Sequence, residues 1–134
     1  MASKEQIESF LASPAFGVVG ASADRHKFGN KVLRCYRQHE LKAYPINPRE
    51  SKIEEVPCIA TITDLPPEVK SISMITPPQV TEKLVPLAIE KGIENIWMQP
   101  GAESPESVLL CRQNNINVIA DGSCILVVLG YRDH

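Results

Sequence analysis

Short apolar runs alternate with longer amphipathic stretches along most of this chain. The apolar runs predict buried strands at residues 16–20, 41–46, 71–76, 93–98 and 116–120. The amphipathic stretches predict helices at residues 3–11, 28–39, 80–91 and 104–114. Strands that are separated by helices form βαβ units, which produce a mostly parallel sheet covered on both faces. The pattern therefore predicts an α/β fold with a doubly wound sheet in three α/β/α layers.

Turn and cap residues support several of these boundaries. Ser3 and Gln6 have the spacing of a capping box at the start of the first helix. Gly92 directly follows the helix at 80–91, where glycine is the usual C-terminal signal. Pro45 lacks an N–H group, so we expect it near a strand end or on an edge strand of the sheet.

Two segments interrupt the alternation. Residues 48–67 predict irregular structure, with a short strand near 58–60. The apolar run 125–129, which follows the last predicted strand, predicts either an extra strand or a contact with another subunit.

Length and charge narrow the class of protein. The 134 residues fit one domain, 1–134, with the N-terminal helix in 1–13 and a divergent apolar tail in 122–134. The net charge of −2 gives no broad attraction to nucleic acid or to an anionic membrane, so an anionic ligand requires a local site. No apolar run approaches the ~20 residues of a membrane span, and no targeting signal is evident. We expect a cytoplasmic protein, and a mitochondrial location stays open.

Candidate ligand-binding residues follow the predicted strands, because doubly wound sheets bind ligands beyond the carboxyl ends of their strands. After the first strand come Val19, Gly20, Ala21 and Ser22, and the next helix begins with Lys27, Phe28, Gly29 and Asn30. After the second, third and fourth strands come Asn47, Pro48 and Arg49, then Thr76, Pro77 and Pro78, then Gln99 and Gly101.

The stretch FGVVGASADRHKFGNKV, residues 16–32, has the strand, turn and helix order of a phosphate site but lacks G-x-G-x-x-G. Gly20 permits a tight turn, and Ser22 offers a hydroxyl group as well as its N–H. The free N–H groups and the dipole of the following helix attract phosphate. Lys27, with Arg25 or His26, adds positive charge at the entrance.

The second strand end distinguishes between nucleotides. An NAD site carries an acid there for the ribose 2′-hydroxyl group, whereas this chain has Asn47 followed by Arg49. A guanidinium group suits a phosphorylated ribose, although Glu50 weakens the inference. The residues therefore favour NADP or coenzyme A (CoA) over NAD, and do not choose between them.

The third and fourth strand ends add shape rather than charge. Pro77 and Pro78 stiffen their turn and remove two N–H groups, which predicts a flat apolar wall beside the ligand. The start of a helix would by itself also explain Pro78. Gly101 permits close approach of the backbone, and either Gln99 or Glu103 is expected to face the pocket, although a simple turn would also explain this segment.

Several blocks of the chain, in this order, resemble one known family. The blocks are VVGAS at 18–22, KFGNKV at 27–32, YPINP at 44–48, the Pro77-Pro78 turn, GIENIWMQPGAES at 92–104 and residues 121–124. They resemble small Rossmann-type CoA-binding proteins, which are similar to the N-terminal domain of the succinyl-CoA synthetase alpha subunit. The resemblance spans residues 14–121 and implies a Rossmann-like fold with CoA or acyl-CoA as ligand, NADP being less favoured.

The resemblance also implies roles for individual residues. It implies that Gly20, Ala21 and Ser22 hold the pyrophosphate and that Arg49 or Lys52 lies near the phosphorylated ribose. It implies that Thr76, Pro77 and Pro78 contact the cofactor. The synthetase also has a second domain with a phosphorylated histidine, which these 134 residues are not expected to supply, and the tail after Asp121 departs from the family.

The chemistry-bearing residues do not form a catalytic constellation. His26, His39 and His134 are dispersed, and no base stands beside Cys124 to activate its thiol. The four cysteines lack the spacing of a zinc site, so we expect free thiols and no metal. We expect a stand-alone module that carries or senses a small nucleotide ligand, as a homodimer or as the partner of an enzyme subunit. The alternatives are a small NADP-dependent oxidoreductase, a CoA-thioester enzyme that uses Cys124, and a module whose Cys124 forms a mixed disulfide with CoA.

Overall fold

The computed structural model describes residues 2–133, so that Met1 and His134, which the predicted domain 1–134 includes, lie outside the described residues. The helices are α1 Lys4–Leu11, α2 Phe28–Gln38, α3 Pro78–Lys91, α4 Pro105–Gln113 and α5 Ile125–Leu129. The strands are β1 Ala15–Val19, β2 Ala43–Ile46, β3 Lys52–Ile53, β4 Val56–Pro57, β5 Val69–Met74, β6 Asn95–Met98 and β7 Asn117–Ile119. No helix within residues 2–133 is long and apolar enough to cross a membrane.

Five strands form one parallel sheet in the order β2-β1-β5-β6-β7. The chain runs outward from β1 to β2 and then returns across β1 to β5, so the strand order reverses between β1 and β5. Helices α1, α2 and α5 cover one face of the sheet, and α3 and α4 cover the other. This arrangement confirms the predicted α/β, Rossmann-like, doubly wound fold, and Pro45 lies on the edge strand β2 as expected.

The two faces of the sheet bury different side chains. Aromatic rings fill the α1–α2 face, with ring centroids 5.6 Å apart for Phe10 and Phe16, 5.2 Å for Phe10 and Trp97, and 4.8 Å for Phe16 and Tyr36. The buried Tyr36 hydroxyl group lies 2.6 Å from the Ser73 Oγ, which satisfies both groups. Aliphatic side chains of β5, β6, α3 and α4 fill the opposite face. The aromatic layer fixes α2, and α2 in turn positions the residues that follow β1.

Most element boundaries agree with the sequence prediction to within one or two residues, but two segments differ. Residues 48–67 contain a β3–β4 hairpin and a 3-10 helix at Ile62–Asp64. The strand expected near 58–60 is reduced to one bridge between Ile46 and Ile59. The two turn residues of the hairpin are Glu54 and Glu55, with φ of 50° and 65°. The sequence did not predict the hairpin because such turns usually carry Asn-Gly.

The predicted extra strand at 125–129 is wrong, because this run forms helix α5. Gly122, at φ 91°, turns the chain away from the sheet after β7, and Gly130 ends the helix in a left-handed conformation. Ile125 is fully buried against the aromatic layer, with Leu126 and Leu129 packed beside it. A subunit contact at this run stays a prediction.

Replacing Ser3 with alanine is expected to lower the free energy of unfolding by about 1 kcal/mol. The Ser3 Oγ accepts from the Gln6 N–H at 3.1 Å, and the Ser3 N–H donates to the Gln6 Oε1 at 3.2 Å, so the predicted capping box is present. Urea unfolding measures the loss. Ser9→Ala, an exposed change within the same helix, is the control, and equal losses for the two variants would contradict a capping role.

Candidate functional site

Two cavities meet at the carboxyl ends of β1 and β5, where the strand order reverses. Both are lined by Gly20, Ala21 and Asn47. The cradle cavity, about 600 Å³, lies against α2 and is completed by Ser22, His26, Lys27, Phe28, Gly29 and Ile75. The apolar cavity, about 400 Å³, lies against α3 and is completed by Val19, Ile46, Pro48, Ala60, Thr61, Ile62, Thr76, Val80, Leu84 and Leu87. The structure therefore places a polar and an apolar compartment on either side of one turn.

Gly20 lies at the centre of this cleft and has no room for a side chain. Its φ is +91°, and a Cβ atom there would lie 2.2 Å from the Ile75 carbonyl oxygen. The Ile75 N–H donates to the Val19 carbonyl at 2.8 Å, which continues the pairing of β1 with β5 beyond the strand. A Cβ atom at Gly29 would lie 2.0 Å from the Gly20 carbonyl oxygen. These two glycines allow β1, α2 and the segment after β5 to converge.

The N-terminus of α2 is left open toward the cradle cavity. Lys27 is its N-cap residue and is extended, and no side chain of the described residues caps the helix. Helices α1 and α4 are capped by Ser3 and Ser104, whereas α3, which begins at Pro78, also lacks a side-chain cap. Uncapped N–H groups and the positive end of the helix dipole favour an anion. The cradle cavity therefore has the electrostatics of a phosphate site.

The loop between β1 and α2 is held from behind by buried polar side chains. Asn30 is fully buried, and its Nδ2 donates to the Ser22 carbonyl at 2.9 Å. The Arg34 guanidinium group donates to the Asn30 Oδ1 at 2.7 Å and to the Arg25 carbonyl at 2.8 Å. Within the loop, the Asp24 Oδ1 accepts from the His26 N–H at 2.9 Å. Asn30 was predicted as a ligand contact, and the structure places it behind the loop rather than in a cavity.

Asn47 joins the end of β2 to the turn after β1. Its Nδ2 donates to the Ala21 carbonyl at 3.0 Å, and its Oδ1 accepts from the backbone N–H groups of Arg49 at 2.7 Å and Glu50 at 3.1 Å. This bonding needs both a donor and an acceptor, so an ionised aspartate could not reproduce it. The position where an NAD site carries an acid thus belongs to an amide with a structural task.

The remaining predicted residues divide into two groups. Val19, Pro48 and Thr76 line the apolar cavity. Arg49, Pro77, Pro78, Gln99 and Gly101 line neither cavity. The Arg49 side chain is exposed beside the cleft, and Pro77 and Pro78 begin α3.

Gln99 and Gly101 have tasks within the fold. Gln99 is buried, and its side-chain oxygen accepts from the Ile125 N–H at 2.8 Å, while its Nε2 lies 3.3 Å from the Cys124 Sγ. Gln99 therefore anchors the start of α5. Gly101 has a φ of +94° and lies in a turn. Its N–H donates to the Glu103 carboxylate at 2.9 Å.

Sequence reasoning missed most of the apolar cavity. Ala60, Thr61 and Ile62 come from the segment that was predicted to be irregular, and Val80, Leu84 and Leu87 lie on one side of α3. The helical spacing of the α3 residues could have identified a shared face. The contribution of residues 60–62 carries no comparable signal, because a chain turn brings them to the cavity.

Other concave or reactive features lie apart from the cleft. A cavity of about 720 Å³ separates the end of α2 from residues 129–132. Its Gln38 and His39 side chains are hydrogen-bonded to the backbone of residues 130–132.

Two buried thiols also lie outside the cleft. Burial raises the pKa of the Cys35 thiol to about 11, with a smaller effect from Cys124, and burial raises the pKa of the Cys111 thiol to about 11. Residues 2–133 contain no group of three or more His, Cys, Asp or Glu side chains that could hold a metal ion.

Comparison with known proteins identifies the family. The profile of the CoA binding domain family matches residues 15–130. The chain is 25% identical over 91 residues to acetate–CoA ligase (ADP-forming) II subunit alpha of Pyrococcus furiosus, covering 67% of this chain and 20% of that protein. It is 32% identical over 79 residues to acetate–CoA ligase (ADP-forming) II of Archaeoglobus fulgidus, covering 58% of this chain and 12% of that protein. The chain thus spans a fifth or less of these curated relatives.

A solved structure agrees with this relationship over a larger share of the chain. A conserved hypothetical protein from Pyrococcus furiosus superimposes with a TM-score of 0.81 at 32% identity, covering 85% of this chain and 97% of that one. The chain belongs to the CoA binding domain family.

Replacing Gly20 with alanine is expected to destabilise the protein more than the same change at Gly92. The two glycines share a left-handed backbone, with φ of +91° and +90°, but a Cβ atom at Gly92 would meet nothing within 4 Å. Gly92→Ala should cost roughly 1–2 kcal/mol of unfolding free energy from the backbone alone, and Gly20→Ala roughly 1–3 kcal/mol more because the Ile75 carbonyl must move. Urea unfolding of both variants measures the difference, and equal losses would contradict the close contact.

Proposed function

We propose that this member of the CoA binding domain family binds CoA or an acyl-CoA in the cleft formed by the cradle and apolar cavities. The observation that carries the proposal is the position of the open α2 N-terminus directly beside an apolar compartment, with Gly20, Ala21 and Asn47 common to both. A nucleotide with a charged and an apolar end requires such a pair of compartments.

The cradle cavity suits the pyrophosphate of the ligand. Gly20, Ala21 and Ser22 offer a close backbone, and the first turn of α2, at Phe28 and Gly29, offers the helix N-terminus. Lys27 adds a positive charge at the cavity wall. The residues of this cavity thus supply N–H donors, a dipole and a cation for one anionic group.

The apolar cavity suits the adenine ring. Its walls come from Val19, Pro48 and Thr76 together with aliphatic residues of α3, and an apolar cavity with few polar groups is typical of a ring-binding site. The pantetheine arm would then leave the cradle toward the carboxyl ends of β5 and β6, past Pro77, Pro78, Gln99 and Gly101.

Arg49 is the better of the two candidate partners for the ribose 3′-phosphate. Its exposed side chain follows Asn47 and Pro48, which line the cleft. Lys52 is the other candidate, but its Nζ lies 3.0 Å from the Glu55 carboxylate, which already balances its charge. The amide at Asn47 favours CoA or NADP over NAD, because no acid faces the ribose hydroxyl groups there.

The role that follows is ligand binding as a carrier, a sensor or a subunit of a larger assembly. The Pyrococcus furiosus relative is itself a subunit alpha of an acetate–CoA ligase (ADP-forming), and it is much longer than this chain.

Thioester or disulfide chemistry at Cys124 is the weaker candidate, since the Cys124 Sγ lies beside the buried Gln99 and lines neither cavity of the cleft.

Calorimetric titration of the purified chain with CoA, 3′-dephospho-CoA, NADP and NAD tests the proposal. CoA is expected to bind most tightly and NAD most weakly, because only CoA combines the pyrophosphate with a 3′-phosphate and a pantetheine arm. Native mass spectrometry of the same preparation identifies any ligand that is already bound. Binding of NAD as tight as that of CoA would refute the proposal, and tighter binding of NADP would favour the oxidoreductase alternative.

Replacing Arg49 with alanine is expected to weaken CoA binding about tenfold, as the loss of one charge-assisted hydrogen bond does. Binding of 3′-dephospho-CoA should change little, because that ligand lacks the 3′-phosphate. Arg112→Ala removes an exposed arginine near the C-terminal end of α4, far along the chain from the cleft residues, and is the control. Equal losses for the two ligands would remove Arg49 from the 3′-phosphate site.

A further inference from the structure

We propose that Glu54, on the turn of the β3–β4 hairpin, is a positioning residue that holds the phosphate loop through Asn30. The inference rests on the proposed function, because it assigns a task to a residue that lines neither cavity but contacts Asn30 of α2 and Arg25 of the loop beside the cradle cavity. It concerns the phosphate loop, Ser22 to Lys27, which is the part of the β1–α2 connection nearest to α2.

The Glu54 carboxylate reaches from the hairpin to two groups of this loop and of α2. Its Oε2 accepts from the Asn30 Nδ2 at 3.1 Å and lies 3.6 Å from the Arg25 Nε. The Glu54 backbone carbonyl also accepts from the Arg37 guanidinium group. The hairpin is thereby fixed to α2 at Asn30 and Arg37 and to the loop at Arg25.

Asn30 links Glu54 to the loop, because the same side-chain amide bonds both. Its Nδ2 has two N–H groups, of which one donates to the Ser22 carbonyl and the other to Glu54, while its Oδ1 accepts from Arg34. All three bonds are made by a side chain that is fully buried, so the amide group has one satisfied orientation. Without the carboxylate, one N–H group of Asn30 would lose its partner and the orientation would be less restrained.

The Asn30 and Arg34 bonds keep two carbonyl groups of the loop directed toward α2. The Ser22 carbonyl accepts from Asn30, and the Arg25 carbonyl accepts from Arg34. A carbonyl oxygen that turned toward the cradle cavity would repel a phosphate group there, whereas N–H groups attract it. Glu54 therefore favours phosphate binding without touching the phosphate.

The backbone of the hairpin turn has an unfavourable left-handed conformation at the residue that makes this contact. Glu54 and Glu55 both have positive φ, where glycine and asparagine are usual and glutamate is strained. Glu55 points its carboxylate at the exposed Lys52, 3.0 Å away. Two adjacent glutamates thus share one backbone type, and Glu54 alone of the pair contacts the loop, which makes Glu55 a matched control.

Charge and positioning predict opposite effects, so they can be separated. The Glu54 carboxylate places a negative charge near the cradle, and its removal by itself would strengthen anion binding by a factor of about two to five. Loss of the bond to Asn30 would instead weaken phosphate binding by about tenfold. Glu54→Asp keeps the charge, suits the left-handed backbone better and shortens the reach by one methylene group. Glu54→Gln removes the charge and keeps an oxygen acceptor at full reach.

The experiment compares Glu54→Asp, Glu54→Gln and Glu55→Asp with the wild-type chain. Two probes are titrated by calorimetry: CoA, whose pyrophosphate occupies the cradle, and adenosine 3′-monophosphate, which lacks a pyrophosphate. Glu54→Asp is expected to bind CoA about tenfold more weakly, with no change for the monophosphate. Glu54→Gln and Glu55→Asp should bind CoA as the wild-type chain does, to within a factor of about five.

Three results would overturn the inference alone. They are CoA binding by Glu54→Asp that equals the wild-type value, equal losses for CoA and the monophosphate, and an equal loss in Glu55→Asp. If the wild-type chain itself fails to bind CoA, the proposed function is refuted and the inference with it. The first titration therefore distinguishes the two failures.

Discussion

Three backbone segments must approach within contact distance at Gly20, and the cleft depends on this constraint. The turn after β1 lies against the Ile75 carbonyl, and the first turn of α2 lies against the Gly20 carbonyl through Gly29. The aromatic layer under α2 and the parallel pairing of β1 with β5 hold these segments together from opposite sides. A side chain at either glycine would separate the open helix end from the apolar cavity, and the two compartments would no longer adjoin.

Hydrogen bonds from polar side chains order the loops that the two glycines bring together. Asn30, Arg34 and Asn47 are used to bind backbone carbonyl and N–H groups of the two loops that border the cleft. Asn30 and Arg34 are buried and Asn47 is half-buried. Burying polar groups is unfavourable unless each is paired, and these side chains are paired. The pairing orders loops that would otherwise sample many conformations, so the cleft is largely preformed.

The sequence predicted the regular part of this molecule well and the connections less well. Alternation of apolar runs with amphipathic stretches was sufficient for the five-stranded sheet, because strands and helices have different periods. The apolar run at 125–129 fits one helical turn or one strand, and only the turn at Gly122 and the buried Gln99 decide for α5. The turn at Glu54 and Glu55 could not be predicted from the sequence, because glutamate is not a usual residue of such turns. Asn30 and Gln99 also bond to Glu54 and Ile125, which are distant in sequence, and a local pattern cannot reveal such contacts. Their predicted place at the ligand stays a prediction.

The missing side-chain cap on α2 has a consequence for how this protein is handled. A helix that lacks its own cap accepts one from solution, so a phosphate or sulfate ion in the buffer can occupy the place of the absent side chain. By mass action, any species that binds the native state alone raises the apparent stability in proportion to the logarithm of its concentration. The melting temperature is then a property of the chain and its buffer together, and a comparison of variants is meaningful only in a common, anion-defined medium.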